Sequence, residues 1–422
     1  MKVLVLGGGG REHALVWKLR QSPRVTEILA CPGNAGIARQ AELVTLPLDD
    51  LYGLAQFALE NKVDLTVVGP EAPLVAGIVD VFSARTQYIF GPGKAQARLE
   101  GSKVYAKRLM ARLNIPTASF EVFDSAPAAA DYVRQASRPL VVKADGLAAG
   151  KGVHVCQDPA AAEAAIRQIM EEKVFGAAGD RVVIEECLEG QEATLMFFLD
   201  GETARPMIPS QDYKRVGDGD TGPNTGGMGC YAPVPAVSDA LVQQVQREVI
   251  EPILEAFDVR GIHYRGVLYV GLMLTADGYR VLEFNIRFGD PEAQTVLPLL
   301  ETDLVDVMIA TMEGGLHRLQ PKWRNEKTVT VVLASGGYPG EYEKGKVIEG
   351  LEDVAAVPGV TIFHAGTALE EGKVVTAGGR VLNVTATGPT HAEAAKRAYE
   401  AVGKIRFEGM QYRKDIGSRV RG

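Results

Sequence analysis

The first hundred residues alternate between two kinds of segment. Short, unbroken apolar runs come first: Val3-Leu4-Val5-Leu6, Ile28-Leu29-Ala30-Cys31, Leu65-Thr66-Val67-Val68 and Tyr88-Ile89-Phe90. Each ends in glycine, proline or asparagine, as in Pro32-Gly33-Asn34 and Gly91-Pro92-Gly93. Longer segments lie between them with apolar residues at helical spacing, such as Ala14, Leu15 and Leu19. Apolar strands that end in turn residues and are separated by helices predict a parallel sheet covered on both faces. Ligands of such sheets bind beyond the carboxyl ends of the strands, where these turn clusters lie.

The pattern changes further on. A helical stretch over 102–113 leads into strand-like runs at 140–143, 153–155 and 182–185, with an alanine-rich helix over 159–172. A larger mixed region runs to about residue 321. From Lys327 the texture is short strands with glycine-rich turns, at 328–334, 347–349, 360–364, 374–376 and 380–385, then a helix over 392–402. This predicts an α/β domain over 1–101, a mixed domain over 102–326 and an α+β domain over 327–422. No sustained repeat or low-complexity tract interrupts them.

Composition adds limits. At roughly 100–200 residues per domain, 422 residues make two to four domains. Hydrophobic residues at 46% and charged residues at 23% fit a soluble globular protein and argue against disorder. A net charge of −8 disfavours a nucleic-acid partner, though a local basic pocket can still hold one anionic substrate. Four cysteines, Cys31, Cys156, Cys187 and Cys230, stand far apart without a C-x-x-C, so reduced thiols are expected. Only four apolar residues precede Gly7, too few for a signal-peptide core. The longest apolar run, near 266–274, falls short of the ~20 residues of a membrane helix. The expectation is a cytoplasmic protein with no membrane partner.

Three stretches carry candidate chemistry. Gly7-Gly8-Gly9-Gly10-Arg11-Glu12-His13 follows a strand and opens a helix. It fails the dinucleotide fingerprint G-x-G-x-x-G/A at its third position, where Glu12 or His13 stands. Backbone N–H groups at such a helix start favour an anion such as phosphate; a tight turn with no ligand fits the pattern equally. The second stretch is Lys143-Ala144-Asp145-Gly146-Leu147-Ala148-Ala149-Gly150-Lys151-Gly152. Its glycine spacing is one residue short of a Walker A loop, and a strand follows it instead of a helix. A glycine loop between strands makes a flap that can close over a nucleotide triphosphate and exclude water. Lys143 at a strand end would be an unpaired charge unless it met an anion. A surface hairpin with solvated lysines is the plainer alternative.

The third stretch, residues 279–288, alternates strictly. Leu282, Phe284, Ile286 and Phe288 share one face; Glu283, Asn285 and Arg287 share the other. Glu283 and Asn285 supply two oxygen ligands for a hard cation such as Mg²⁺. Arg287 beside them can neutralise a carboxylate or phosphate. A half-exposed strand with a polar outer face would also alternate. The mixed signs, the strand-averse Asn285 and the turn Gly289-Asp290-Pro291 argue for a site.

Together these stretches resemble the ATP-grasp enzymes, and among them the phosphoribosylamine–glycine ligase (glycinamide ribonucleotide synthetase) family. The resemblance covers essentially the whole chain. It is carried by Gly9-Gly10-Arg11-Glu12-His13-Ala14-Leu15, Pro32-Gly33-Asn34, Gly69-Pro70-Glu71-Ala72-Pro73-Leu74 and the glycine flap. Most specific are Asp218-Gly219-Asp220-Thr221-Gly222-Pro223-Asn224-Thr225-Gly226-Gly227-Met228-Gly229 and Arg287-Phe288-Gly289-Asp290-Pro291-Glu292.

The resemblance implies a Rossmann-like N-terminal domain, an ATP-grasp body with a lid over about 122–186, and a small α+β C-terminal domain. It implies ATP-dependent ligation of glycine to 5-phosphoribosylamine in purine biosynthesis, by way of a glycyl phosphate. Lys103 and Lys143 would hold the ATP phosphates, with Gly150 and Lys151 in the flap. The run Glu185-Glu186-Cys187-Leu188 would read adenine through its backbone, with Glu192 on the ribose. Glu283 and Asn285 would hold Mg²⁺ or Mn²⁺, and the preceding strand brings no third acid. Asp212, Lys214, Arg287 and Asp290 are candidates around glycine and the ribose; Gly10, Arg11 and Asn34 are candidates for the sugar phosphate. Tyr213 stands where the family often has histidine, which argues against a direct catalytic role there. The partners implied are small molecules (ATP, glycine and 5-phosphoribosylamine) acting on a free-standing monomer or dimer. The alternatives are another ATP-grasp carboxylate–amine ligase, a purine formyltransferase, or a nucleotide-binding protein without turnover.

Overall fold

The computed structural model describes residues 1–148 and 151–420. The first sheet has five parallel strands, in the order Glu42–Leu43, Glu27–Pro32, Lys2–Gly7, Leu65–Val68 and Ile89–Phe90. Its central strand shows why an unbroken apolar run was needed. Val3 and Val5 pack on one face with Ala14, Leu15 and Leu19 of the helix Gly10–Leu19. Leu4 and Leu6 pack on the other with Leu54, Ala55 and Ala58 of the helix Leu51–Glu60. All four strand residues are fully buried, each stabilising the domain by roughly 1.5–3 kcal/mol.

Three antiparallel sheets of four or five strands follow among the described residues, besides two two-stranded hairpins. A small one orders Phe120–Phe123, Val182–Glu186, Leu140–Ala144 and Val153–Cys156, with a core of its own. A second orders Ala204–Pro206, Gln191–Asp200, Arg265–Thr275 and Gly278–Asn285. The apolar run near 266–274 is a central strand of this sheet, and no helix among the described residues is long and apolar enough to cross a membrane. The third sheet orders Gln211–Asp212, Gly229–Ala232, Lys327–Ala334, Arg380–Gly388 and Val360–His364. The strands after Lys327 therefore share a sheet with strands a hundred residues earlier, a non-local pairing that no local pattern reveals.

Other expectations need local correction. Residues 347–349 form only isolated bridges, Val347 to Val375 and Glu349 to Arg406. The helix expected over 159–172 is α-helical over Pro159–Ile166 and continues as a π turn over Arg167–Glu171. The strand expected over 279–288 ends at Asn285. Its alternation also slips. Gly271 pairs with Glu283 but Leu272 pairs with Val281, so Leu282 is a bulge. The buried apolar positions are Tyr279, Val281, Phe284, Ile286 and Phe288, while Leu282 joins Glu283 on the wall of the cavity.

Candidate active site

The small four-stranded sheet stands over the sheet that ends at Asn285, and a cavity of about 610 Å³ lies between them. The glycine flap joins Leu140–Ala144 to Val153–Cys156, and its residues Gly146, Leu147, Ala148 and Gly152 line the cavity. Asp145 staples the flap to the helix Lys103–Arg112. Its Oδ1 accepts from the Val104 N–H at 3.1 Å and from Ser102 Oγ at 2.8 Å, and its Oδ2 pairs with Arg181 at 2.6 Å. Ser102 in turn caps that helix through Tyr105 N–H, satisfying a second orphan donor.

Lys103 and Lys143 both reach the cavity. Lys103 donates to the Gly146 carbonyl at 3.3 Å, which ties it to the flap. Lys143 pairs with Glu185 at 2.8 Å and points to the Leu282 carbonyl at 3.4 Å. Sequence reasoning missed a third lysine. Lys107 pairs with the other oxygen of Glu185, also at 2.8 Å. Burial, together with Lys143, lowers its pKa to about 8 against the pull of Glu185 and Glu283. The available signal was spacing: Lys107 lies one helical turn after Lys103. Glu185, Glu186 and Leu188 line the cavity as expected, but the Glu185 side chain is committed to the lysines. The Cys187 N–H donates to the Pro139 carbonyl at 3.3 Å; the Leu188 N–H has no partner among the described residues. Lys151 is exposed and off the cavity wall, and Gly150 lies outside the described residues.

Deeper in the cavity stands an acidic group. Glu192 pairs with Lys214, placing the expected ribose residue on an expected catalytic one. Glu292 accepts a hydrogen bond from Tyr269 Oη at 3.0 Å. Burial raises the pKa of Asp212 to about 7; Lys214 opposes the rise, and Glu292 and Glu192 add to it. Glu283 behaves oppositely. Burial pushes its pKa up, but Lys214, Lys103, Lys143 and Arg287 together hold it below the usual carboxylate value. Glu283 thus stays ionised next to the Asn285 amide oxygen, an all-oxygen pair that fits a hard divalent cation. Among the described residues no group of three or more His, Cys, Asp or Glu side chains is arranged to hold a metal.

Arg287 departs from expectation. It was expected to neutralise a carboxylate or phosphate near glycine and the ribose; it lines the cavity, but its guanidinium is held by two carboxylates of this chain. Its Nη2 donates to Glu100 Oε1 at 2.8 Å and its Nε to Glu71 Oε2 at 3.3 Å. A further bond reaches Asn285 Oδ1 at 3.2 Å. Glu100 also accepts from the Ile286 N–H at 2.8 Å, which bends the chain out of the strand after Asn285. Glu100 lay on no predicted pattern, and Glu71, though inside the Gly69–Leu74 motif, was given no role, because each reaches Arg287 across about two hundred residues of sequence.

The N-terminal glycine turn is also filled by the chain's own acids. Glu12 Oε2 accepts from the Gly9 N–H at 2.6 Å, and Asp290 Oδ2 accepts from the Arg11 N–H at 3.4 Å. Gly8 is glycine because a Cβ there would sit 2.3 Å from the Gly33 carbonyl oxygen. Arg11 and Asp290 do line the cavity, joined by Arg380, which sequence reasoning missed. Arg380 pairs with Asp290 Oδ1 at 3.3 Å and donates to the Asp290 carbonyl at 2.7 Å and to the Gly226 carbonyl. Gly10 and Asn34 are off the cavity wall. Gly10 packs against Asn383 and Gln294. Asn34 donates to the Gly8 and His364 carbonyls and accepts from the Gly36 and Ile37 N–H groups, which uses its amide fully.

Tyr213 points away from the cavity. Its hydroxyl accepts from the Gly417 N–H at 2.9 Å, and Arg413 and Arg419 stack on its ring. Arg413 and Arg419 also pair with Asp220, and the Lys414 N–H donates to Asp218. The C-terminal segment thereby latches the hairpin of Arg215–Gly217 and Thr221–Asn224, whose far end brings Asn224, Thr225 and Gly226 into the cavity.

Comparison with known proteins agrees along the whole chain. Family models match for the phosphoribosylglycinamide synthetase N domain over residues 1–100, its ATP-grasp (A) domain over 101–293 and its C domain over 328–419. The phosphoribosylamine–glycine ligase of Caldanaerobacter subterraneus subsp. tengcongensis is 49% identical over 418 residues, covering 99% of this chain and 100% of that one. The Pseudomonas aeruginosa protein of the same name is 51% identical, covering 100% of this chain and 98% of that one. The crystal structure of phosphoribosylamine–glycine ligase from Thermotoga maritima superposes with a TM-score of 0.85 at 36% identity, covering 98% of this chain and 100% of that one. A biotin carboxylase domain of Hydrogenobacter thermophilus 2-oxoglutarate carboxylase, in complex with MgADP, ADP and bicarbonate, shares the fold, with a TM-score of 0.75 at 16% identity over 97% of this chain and 91% of that one.

Proposed function

The chain belongs to the phosphoribosylglycinamide synthetase family, and from that premise we infer how its cleft works as an ATP-dependent ligase joining glycine to 5-phosphoribosylamine. The observation that carries the reading is one cavity that collects lysines, an ionised Glu283 beside Asn285, and a buried acid–lysine group.

A carboxylate is a poor electrophile at neutral pH. Glycine must therefore first take the terminal phosphoryl group of ATP. One carboxylate oxygen attacks phosphorus, ADP leaves, and glycyl phosphate forms. Transfer of this kind needs mainly position and charge neutralisation. Lys103 and Lys143 supply the neutralisation from the flap side. Glu283 and Asn285 would hold Mg²⁺ or Mn²⁺, which when bound screens the phosphate charges. Arg287, fixed by Glu71 and Glu100, holds Asn285 in register.

The amine of 5-phosphoribosylamine then attacks the acyl carbon. Phosphate leaves with the oxygen that bridged carbon to phosphorus, and the amide forms. The attacking nitrogen sheds a proton. Asp212, with its pKa near 7, suits that acceptor role, and the charge of Lys214, itself paired with Glu192, keeps that pKa from rising further. No side-chain nucleophile is needed. The flap, stapled by Asp145, keeps water from the acyl phosphate. Leu188 N–H is open to an adenine ring nitrogen, and the cations Arg11 and Arg380 on the cavity wall, with Asp290 orienting Arg380, would meet the sugar phosphate. The same reading has the enzyme acting in the cytoplasm on small molecules, as a monomer or dimer, with no nucleic-acid or membrane partner.

Phosphate release from ATP, measured with glycine alone, with phosphoribosylamine alone and with both, tests this. Release only with both, or a strong increase with both, supports the ligase. Equal rates with alanine or formate in place of glycine would move the chain to another branch of the ATP-grasp enzymes.

A further inference from the structure

Glu185 is almost fully buried and divides its two oxygens between two lysines, Oε1 to Lys143 and Oε2 to Lys107, each at 2.8 Å. Two ammonium groups share this one carboxylate, and Glu283, the other acid facing them, also answers to Lys103, Lys214 and Arg287, so cations outnumber acids here and an incoming anion is favoured. The two lysines are not held alike. Lys107 also donates to Thr117 Oγ1 at 2.7 Å, and Thr117 passes its own hydrogen to the Val281 carbonyl at 2.6 Å. The ring of Phe120 lies 5.8 Å from the Lys107 ammonium. Lys107 is built into its place. Lys143 has only the long contact to the Leu282 carbonyl besides Glu185; both lysines lie on the cavity wall, so the difference between them is in how each is held. The charged groups facing Lys107 from the packed strands are Lys143, Glu185 and Glu283.

We propose that Lys107 is a positioning residue for the nucleotide phosphates: it keeps Glu185 neutralised, so that Lys143 is free to turn to an incoming polyphosphate. An anion that draws Lys143 away would otherwise strand a buried carboxylate without a countercharge. With Lys107 in place the carboxylate keeps one ion pair throughout. Without it, Glu185 and the phosphates compete for the same ammonium. This rests on the nucleotide reading of the cavity given above.

The role separates phosphates from adenine, so the test compares two ligands. Calorimetry with MgADP and with adenosine is run on the full chain as wild type, Lys107→Met and Lys107→Arg. The expectation for Lys107→Met is MgADP binding weakened about tenfold and adenosine binding within about twofold of wild type. Lys107→Arg, which keeps the charge, stays within about threefold for both. Lys107→Met binding MgADP like wild type overturns the proposal, as does an equal loss of both ligands, which a merely structural role predicts. Lys107→Arg losing MgADP as strongly as Lys107→Met also overturns it. A wild-type chain that binds neither ligand overturns the nucleotide reading itself, and this inference with it. Should Lys107→Met fail to fold by thermal melting, Lys107→Gln takes its place under the same criteria.

Discussion

Glu100 touches no substrate in this account, yet it fixes the end of the strand that carries Glu283 and Asn285. Its carboxylate accepts from the Ile286 N–H and from Arg287, each at 2.8 Å, with 8% of the side chain exposed. Glu100→Ala removes both acceptors. An orphaned buried N–H costs about 1–3 kcal/mol. Deleting one partner of a buried ion pair costs about 3–5 kcal/mol when the survivor has no other partner. Arg287 keeps Glu71 at 3.3 Å, so this second loss falls below that range. Burial raises the pKa of Glu100 despite Arg287, so the carboxylate itself is held at a cost that its deletion returns. Both losses come from one carboxylate and do not add in full. The net expectation is about 2–3 kcal/mol for Glu100→Ala. Glu100→Gln, which keeps the shape and one acceptor, is expected to lose about 1–2 kcal/mol. Urea unfolding followed by fluorescence reads the stability, with midpoints compared because a multidomain chain need not unfold in one step. The functional consequence is specific. The Mg²⁺ concentration giving half-maximal rate should rise about tenfold, because the strand end that presents Asn285 loosens. A Glu100→Ala variant with the wild-type urea midpoint and the wild-type Mg²⁺ requirement would refute the reasoning.

Three other outcomes follow from the same geometry. Glu283→Ala is expected to abolish turnover while melting like wild type; near-normal rates with Mg²⁺ would remove Glu283 from the metal site. Burial, together with the charges of His364 and Arg39, lowers the pKa of His13 to about 3, and burial with Arg39 lowers that of His364 to about 4. A buried neutral histidine stabilises fully above the ordinary value of about 6.5 and loses that contribution as pH falls towards its folded value, at up to about 1.4 kcal/mol per pH unit per histidine. Stability of His364→Gln should therefore fall less steeply than wild type between pH 6 and 4.5; parallel curves would contradict it. Arg413→Met cuts the latch on the hairpin that ends at Asn224, and is expected to cost about 2 kcal/mol because its carboxylate partners are partly hydrated. Its KM for phosphoribosylamine should rise more than its KM for ATP; an equal rise in both would show the latch to be only structural.

Local chemistry was legible in the sequence wherever neighbouring residues carry it. The strand with Glu283 and Asn285 and the flap with Lys143 follow from spacing within ten residues, and the parallel N-terminal sheet follows from the regular alternation of such segments over the first hundred. What stayed hidden depends on partners distant along the chain. Arg287 looked free because Glu71 and Glu100, which neutralise it, lie about two hundred residues away. Asn34 looked like a ligand because the carbonyl of His364, which it binds, belongs to the last domain. Arg380 reaches the cavity from a strand whose own pattern is only that of a buried β-strand. The bulge at Leu282 is invisible to an alternation rule, because the rule assumes that pairing does not slip. Tyr213 is the converse case: its departure from the family's usual histidine argued against a chemical role, and the side chain does face the C-terminal latch.

The central claim is that glycine is activated through its own carboxylate. Glycine labelled with ¹⁸O in both carboxylate oxygens tests it directly, by mass spectrometry of the phosphate released during synthesis of the amide. Passage through glycyl phosphate leaves the bridging oxygen on phosphorus, so each phosphate should carry one ¹⁸O and the amide should keep the other. Unlabelled phosphate, with the second label lost to water instead, would contradict the account.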